Sequence, residues 1–222
     1  MTRPDRGSWW LAEIKAVGVE PRRLAAVAST RHPDGARVST TAEDLTEADC
    51  DNVVCWATYD DSGEVTNLLV PAPAAPKAPP LWFLELRESN AHPPAVNLLA
   101  FTGHGMPPGA LLDRTAFSNH AVDGTDQLGA IRWYPATGEI DQIYVTPAMR
   151  RHSIATALLT ASATLAVARG WPRFWSDGQR TELGEQIRNA GSWWHRAADL
   201  THVAPPMTPT SADTPLTPEH TR

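Results

Sequence analysis

Arg150, Arg151 and His152 stand immediately before a run of small and apolar residues, Ser153, Ile154, Ala155 and Thr156. If that run opens a helix, its first turn offers backbone N–H groups with no intrahelical partner. It also offers the positive end of the helix dipole, and the two together bind phosphate. Arg150 and Arg151 would set full positive charge against a pyrophosphate. Ser153 and Ala155 are small enough to let a ligand approach the backbone closely. The chemistry to expect here is the holding of a diphosphate; the competing reading is a solvated basic turn that merely opens a helix.

The neighbouring elements must position that run. Ile154, Leu158, Ala161, Leu165 and Ala168 fall on one stripe at helical spacing, and Ala155, Leu159, Ser162 and Ala166 on the next. This predicts a helix with a wide apolar face, laid flat on a sheet and ended by Gly170-Trp171-Pro172. Upstream, LGAIRWY (128–134) and EIDQIYV (139–145) read as strands about a turn at Pro135 to Gly138, with Thr146-Pro147 breaking the second. Downstream, RFWS (173–176) reads as a strand and TELGEQIRNAG (181–191) as a short helix, opened by Thr181 and closed by Gly191.

The first half of the chain carries weaker signals. Residues 8–28 read as an amphipathic helix interrupted at Gly18 and Pro21, and 52–70 as a hairpin turning at Asp60 to Gly63. LWFLELRE (81–88) and AVNLLAFT (95–102) read as strands. The Pro/Ala-rich stretch 71–80 is a loop, since it can neither pair as strand nor continue a helix. Residues 103–127 read as a long loop in which substrate contacts are expected, and the Pro/Thr-rich stretch 205–222 as a disordered tail.

The segment from Val145 to Ala155, V-T-P-A-M-R-R-H-S-I-A, resembles the V-x-P-x-x-[RQ]-x-x-G-x-[GA] motif of the GNAT N-acetyltransferases, and T-A-L-L continues it into the leucine-containing helix. That family has two antiparallel strands before the motif and a strand and short helix after it. The elements read above fill those places in order, so the resemblance spans about residues 128–191. It implies a mixed α/β fold, with a central mixed, mostly antiparallel sheet flanked by helices and a shortened C-terminal part. Residues 1–204 would form one domain.

The resemblance also implies an activity: transfer of an acetyl group from acetyl-CoA, without a metal, to a primary amine. The acceptor could be a small molecule, a protein or a modified nucleic acid. By match of position, Ile143, Tyr144 and Val145 would offer backbone groups to the pantetheine arm. Arg150, Arg151, His152, Ser153, Ile154, Ala155 and Thr156 would hold the pyrophosphate. Glu139 stands where some members place a general base, and strand alternation puts Glu139, Asp141, Ile143 and Val145 on one face. The thioester would lie between 139–145 and 173–176.

Two departures bear on this expectation. Ser153 replaces the glycine of the motif, and glycine serves where φ is positive or where a Cβ would strike the ligand. Serine costs little at negative φ and its hydroxyl could itself donate to a phosphate, which would make the change neutral; the alternative is a member with weakened cofactor binding. No tyrosine follows Tyr144, so the family's frequent leaving-group acid is missing, with His195 or water as substitutes. A catalytically degenerate GNAT-fold binding protein is the alternative these departures leave open.

Composition narrows the setting. A net charge of −6 argues against broad affinity for nucleic acid or anionic membrane. No run approaches the roughly 20 apolar residues of a membrane span, and the N-terminus lacks a signal-peptide stretch. The expectation is a cytoplasmic protein with no membrane partner, and a homodimer is compatible with it. Cys50 and Cys55 read as reduced thiols. His92, His104 and His120 lack metal-ligand spacing. Trp9, Trp10, Trp193 and Trp194 read as core or interface aromatics.

Overall fold

A computed structural model describes residues 8–15, 21–190 and 197–204. Gly191, Trp193, Trp194, His195 and the tail 205–222 lie outside the described residues. The chain opens with β1 (Trp10–Ile14) and β2 (Arg23–Val27), paired antiparallel. These two strands replace the helix read over residues 8–28. Trp10, Ala12 and Ile14 enter one apolar cluster while Trp9 and Leu11 enter another. A strand buried on both faces shows a continuous apolar run, which its sequence alone does not distinguish from a helix.

β3 (Arg37–Thr40) adds to β1 in parallel, and after α1 (Glu47–Asp51) comes the expected hairpin of β4 (Val53–Tyr59) and β5 (Val65–Leu69). The first sheet has the order β3-β1-β2-β4-β5. β6 (Leu81–Glu88) and β7 (Ala95–Thr102) pair antiparallel as read, followed by β8 (Leu111–Leu112) and α2 (Arg114–Phe117). Residues 103–127 are therefore not one featureless loop; they also hold a 3-10 turn at Gly124–Asp126. β9 (Gly129–Tyr134) and β10 (Glu139–Val145) complete a second sheet of order β10-β9-β7-β6-β8.

The two sheets meet at one pair of edges. Asn67 of β5 bridges Ala110 beside β8, and the Leu68 N–H donates to the Gly109 carbonyl at 2.7 Å. Between them lies α3 (Ile154–Ala168), whose residues from Ile154 to Ala166 are buried except Thr156. One apolar cluster joins Leu24 and Ala57 of the first sheet, Leu98 and Ile131 of the second, and Leu158, Ala161 and Leu165 of α3. The helix is thus covered by both sheets, where the sequence predicted contact with one. A helix apolar all round is a buried helix. Each fully buried leucine contributes about 2 kcal/mol.

After α3, residues 173–176 form only two bridges, at Trp175 and Ser176, in place of the continuous strand read there. β11 (Gln179–Arg180), α4 (Glu182–Ala190) and β12 (His202–Val203) follow, and β12 runs parallel to β11. The fold is a mixed α/β arrangement of two mostly antiparallel sheets with few helices.

Candidate active site

β10 is the outermost strand of its sheet. At its start it is held from outside: the Ile140 N–H donates to the Trp175 carbonyl at 2.9 Å, and the Trp175 N–H to the Gly138 carbonyl at 3.0 Å. Gly138 makes this approach possible. Its φ is +76°, and a Cβ there would run into the backbone carbonyls of Arg173 and Pro172. Beyond Glu139 and Ile140 the two segments make no further pairing among the described residues, and Ser176 bridges Ala197 instead.

The parting coincides with a β-bulge. The register with β9 shifts between Ile140 and Gln142, leaving Asp141 as the extra residue. Thr146 donates its N–H to Leu128 at 2.9 Å, which fixes the phase of the ladder. The backbone groups of Gln142 and Tyr144 then turn toward β9, while those of Ile143 and Val145 turn toward the open side. Arg150 Nε, 3.4 Å from the Val145 carbonyl, reaches that same open edge. Of the three residues read as facing the pantetheine arm, Tyr144 spends its backbone groups on β9.

The bulge also redistributes the side chains. Ile140, Ile143 and Val145 lie opposite Trp133, Ile131 and Gly129 and pack toward the core. Glu139 lies opposite Tyr134, and Gln142 opposite Arg132, on the other face. The single face read for Glu139, Asp141, Ile143 and Val145 is corrected accordingly: the extra residue reverses the alternation.

Glu139 is half-buried, and its carboxylate has no ion-pair partner among the described residues. Asp141 is engaged by Arg132 and accepts from the Tyr134 hydroxyl at 2.9 Å. That hydrogen bond, with some desolvation, pushes the Tyr134 hydroxyl above its ordinary pKa. Arg132 also reaches Glu88 at 3.0 Å.

At the other end of β10, a 3-10 turn (Pro147–Met149) leads into Arg150. Arg151 and Ser153 both adopt left-handed backbone, with φ of 65° and 57°. Ser153 is the N-cap of α3, and its side chain makes no capping bond. The first intrahelical bond runs from Ala157 N–H to Ser153 C=O at 2.9 Å, so the amides of Ile154, Ala155 and Thr156 precede the helical ladder. Arg151 donates to Gln186 Oε1 of α4 at 2.7 Å, and the His152 ring lies 2.9 Å from the Arg150 carbonyl. Positive φ answers the question left by Ser153. This position asks for glycine, and a serine there is strained by about 1–2 kcal/mol.

Strand edge, basic turn and helix start are packed together. A Cβ at Gly129 would meet the Tyr144 carbonyl at 2.6 Å and the Leu158 and Ile154 side chains at 3.1 and 3.2 Å. Glycine at this point lets the first turns of α3 sit against the β9–β10 ladder.

Residues 109–183 match the model of the acetyltransferase (GNAT) family. The likeness to the GNAT acetyltransferase family is carried by this segment, about a third of the chain. The segment runs from β8 to the start of α4 and contains the open edge, the basic turn and α3; the first sheet lies outside it. No curated protein and no solved structure matches the chain. Within the matched segment, the structure brings Ile143, Val145, Arg150, Arg151 and the start of α3 to one place, with Glu139 at the far end of the same strand.

Three contributors were not legible beforehand. In the sequence Gly138 reads only as a turn residue, the bulge at Asp141 has no signal, and Trp175 reaches Glu139 from 36 residues away. Among the described residues no group of three or more His, Cys, Asp or Glu side chains could hold a metal ion. No described helix is long and apolar enough to cross a membrane.

Proposed function

We propose that this protein transfers an acetyl group from acetyl-CoA to a primary amine. The observation that supports this most directly is the parting of β10 from residues 173–176 beside the start of α3. Backbone groups of Ile143 and Val145 line the opening. From Val145 to Glu139 the strand extends about 20 Å, at roughly 3.3 Å per residue. An extended pantetheine arm lying along it would bring its thioester near Glu139, with the pyrophosphate on the amides of Ile154, Ala155 and Thr156 and beside Arg150 and Arg151.

In this reading the amine nitrogen attacks the thioester carbonyl. The Ile143 N–H, the first outward amide beyond the split, stabilises the developing oxyanion. Glu139 accepts the proton the amine gives up, and the departing thiolate takes a proton from water. Residues 1–204 act as one cytoplasmic unit in this proposal, with 71–80 as a surface loop.

Ser153 favours a second reading, a GNAT-fold binding protein that has lost transfer, because its strained backbone stands where the cofactor would dock. Thermal melting with acetyl-CoA separates the two, since a working site is stabilised by its ligand. No shift at millimolar acetyl-CoA favours the second reading. With binding in hand, Glu139→Gln is expected to slow thiol release about tenfold or more while the acetyl-CoA shift is kept. An unchanged rate removes Glu139 as the base.

A further inference from the structure

Trp175 is the one aromatic among the large apolar side chains exposed in the described residues, at 37%. Its exposure is not that of a loosely held ring. The indole Nε1–H donates to the Thr137 carbonyl at 3.1 Å, in the turn that feeds β10. Phe174 beside it packs into the core, 5.4 Å from Trp133. Alternation therefore sends Trp175 to the opposite face, the one carrying Glu139 and Tyr134.

Register then sets three side chains in a row. Trp175 bridges Glu139 in parallel, and Glu139 pairs with Tyr134 in β9. Adjacent strands are about 4.8 Å apart, so Glu139 has an aromatic residue as its cross-strand neighbour on each side. Both rings are held: Trp175 by Thr137, and Tyr134 by its hydroxyl on Asp141 and by the Arg132 guanidinium 5.5 Å from its ring centroid. Ring faces attract cations through their quadrupole, and a ring fixed before binding loses little freedom when a ligand arrives.

We propose that Trp175 and Tyr134 form the acceptor-recognition site and that its ligand is an alkylammonium, bound as the cation between the two rings. This rests on the transfer reading: Glu139 first takes the ammonium proton and passes it to water, and, ionised again, accepts the proton that the neutral amine gives up on attack. The aliphatic carbons next to the nitrogen lie along the exposed indole. Neutral acceptors of the same shape gain nothing from the ring faces and are discriminated against.

The test compares an alkyltrimethylammonium with its neutral 3,3-dimethylbutyl isostere, on the full chain with acetyl-CoA present. Binding of each is read by calorimetry, and competition against an alkylamine substrate by thiol release. The cation is expected to bind about tenfold more tightly than the isostere. Trp175→Leu should abolish that preference and Trp175→Phe should retain most of it, both with the acetyl-CoA melting shift unchanged. In kinetics Trp175→Leu should raise KM for the amine more than it lowers kcat. Equal binding of cation and isostere, or a preference that survives Trp175→Leu, overturns the proposal. Calorimetry needs no turnover, so cation preference without thiol release from any amine supports the recognition site and overturns only the transfer reading.

Discussion

The two ends of α3 are built on opposite principles. At the C-terminal end the helix is clamped to both sheets. Arg169 makes a two-pronged ion pair with Glu85 of β6, Arg37 of β3 donates to the Val167 carbonyl at 3.2 Å, and Tyr59 of β4 donates to the Ala168 carbonyl at 3.3 Å. These donors satisfy carbonyls that the helix cannot satisfy itself and oppose the negative end of its dipole. At the N-terminal end two residues hold positive φ, no side chain caps the helix, and beyond Ile140 the adjoining strand pairs on its outer side with no strand among the described residues. One end is fixed by side chains from both sheets; the other has no side-chain cap and carries left-handed backbone. Strain and unmet hydrogen-bonding capacity persist in a fold only where the remaining structure over-determines them.

Breaking the clamp should have the largest effect. Glu85 and Arg169 are 6% and 12% exposed, and Glu85→Ala would leave the buried guanidinium with only the exposed Glu64, 3.8 Å away, at a cost of about 3 kcal/mol. The expected fall in Tm is roughly 10 °C. A fall within about 2 °C would mean that the clamp is dispensable. The same pair sets an acid limit. Burial pushes the Glu85 carboxyl up, but hydrogen bonds from Arg169 and Arg87 outweigh it and hold the carboxyl below its ordinary value of 4.5. A carboxyl depressed in the folded state adds stability that is complete above 4.5 and lost as pH falls through its folded value. In Glu85→Gln the acid-induced decline in Tm below pH 4.5 should be shallower than in the parent.

A smaller effect is expected where the strands part. Gly138→Ala places a Cβ at positive φ against the Arg173 and Pro172 carbonyls and should cost about 2 kcal/mol. Because it loosens the point that brings Trp175 to Glu139, thiol release should fall further than the change in Tm alone explains. Unaltered turnover in a destabilised variant would show that this junction does not position the site.

The smallest effect, with the opposite sign, belongs to the open end. Ser153→Gly relieves the left-handed strain but adds freedom to the unfolded chain, for a net gain of about 0.5 kcal/mol. Tm should rise by about 1–2 °C, and the acetyl-CoA melting shift should grow. A lower Tm would contradict the strain assigned to this position.

The elements of the matched segment were legible because their signals are local. Alternation marks β9 and β10, Thr146-Pro147 ends the second of them, and the small apolar stripes mark α3. The basic turn was legible for the same reason: Arg150 to Thr156 are contiguous. β1 and β2 were not, because burial on both faces erases the periodicity that tells strand from helix. The orientation of Glu139 was not legible either, because one inserted residue at Asp141 reverses every side chain before it.

From its amino acids alone this chain determined where a basic turn opens a helix and in what order strands surround it. Spacing along a few neighbouring residues is enough to specify that. Tertiary structure decided which face of β10 carries Glu139, that Ser153 must be left-handed, and that Trp175 and Tyr134 stand on either side of one carboxylate. Those outcomes depend on ladder register and on the approach of segments distant in the chain, which pairing and packing set and no local pattern encodes.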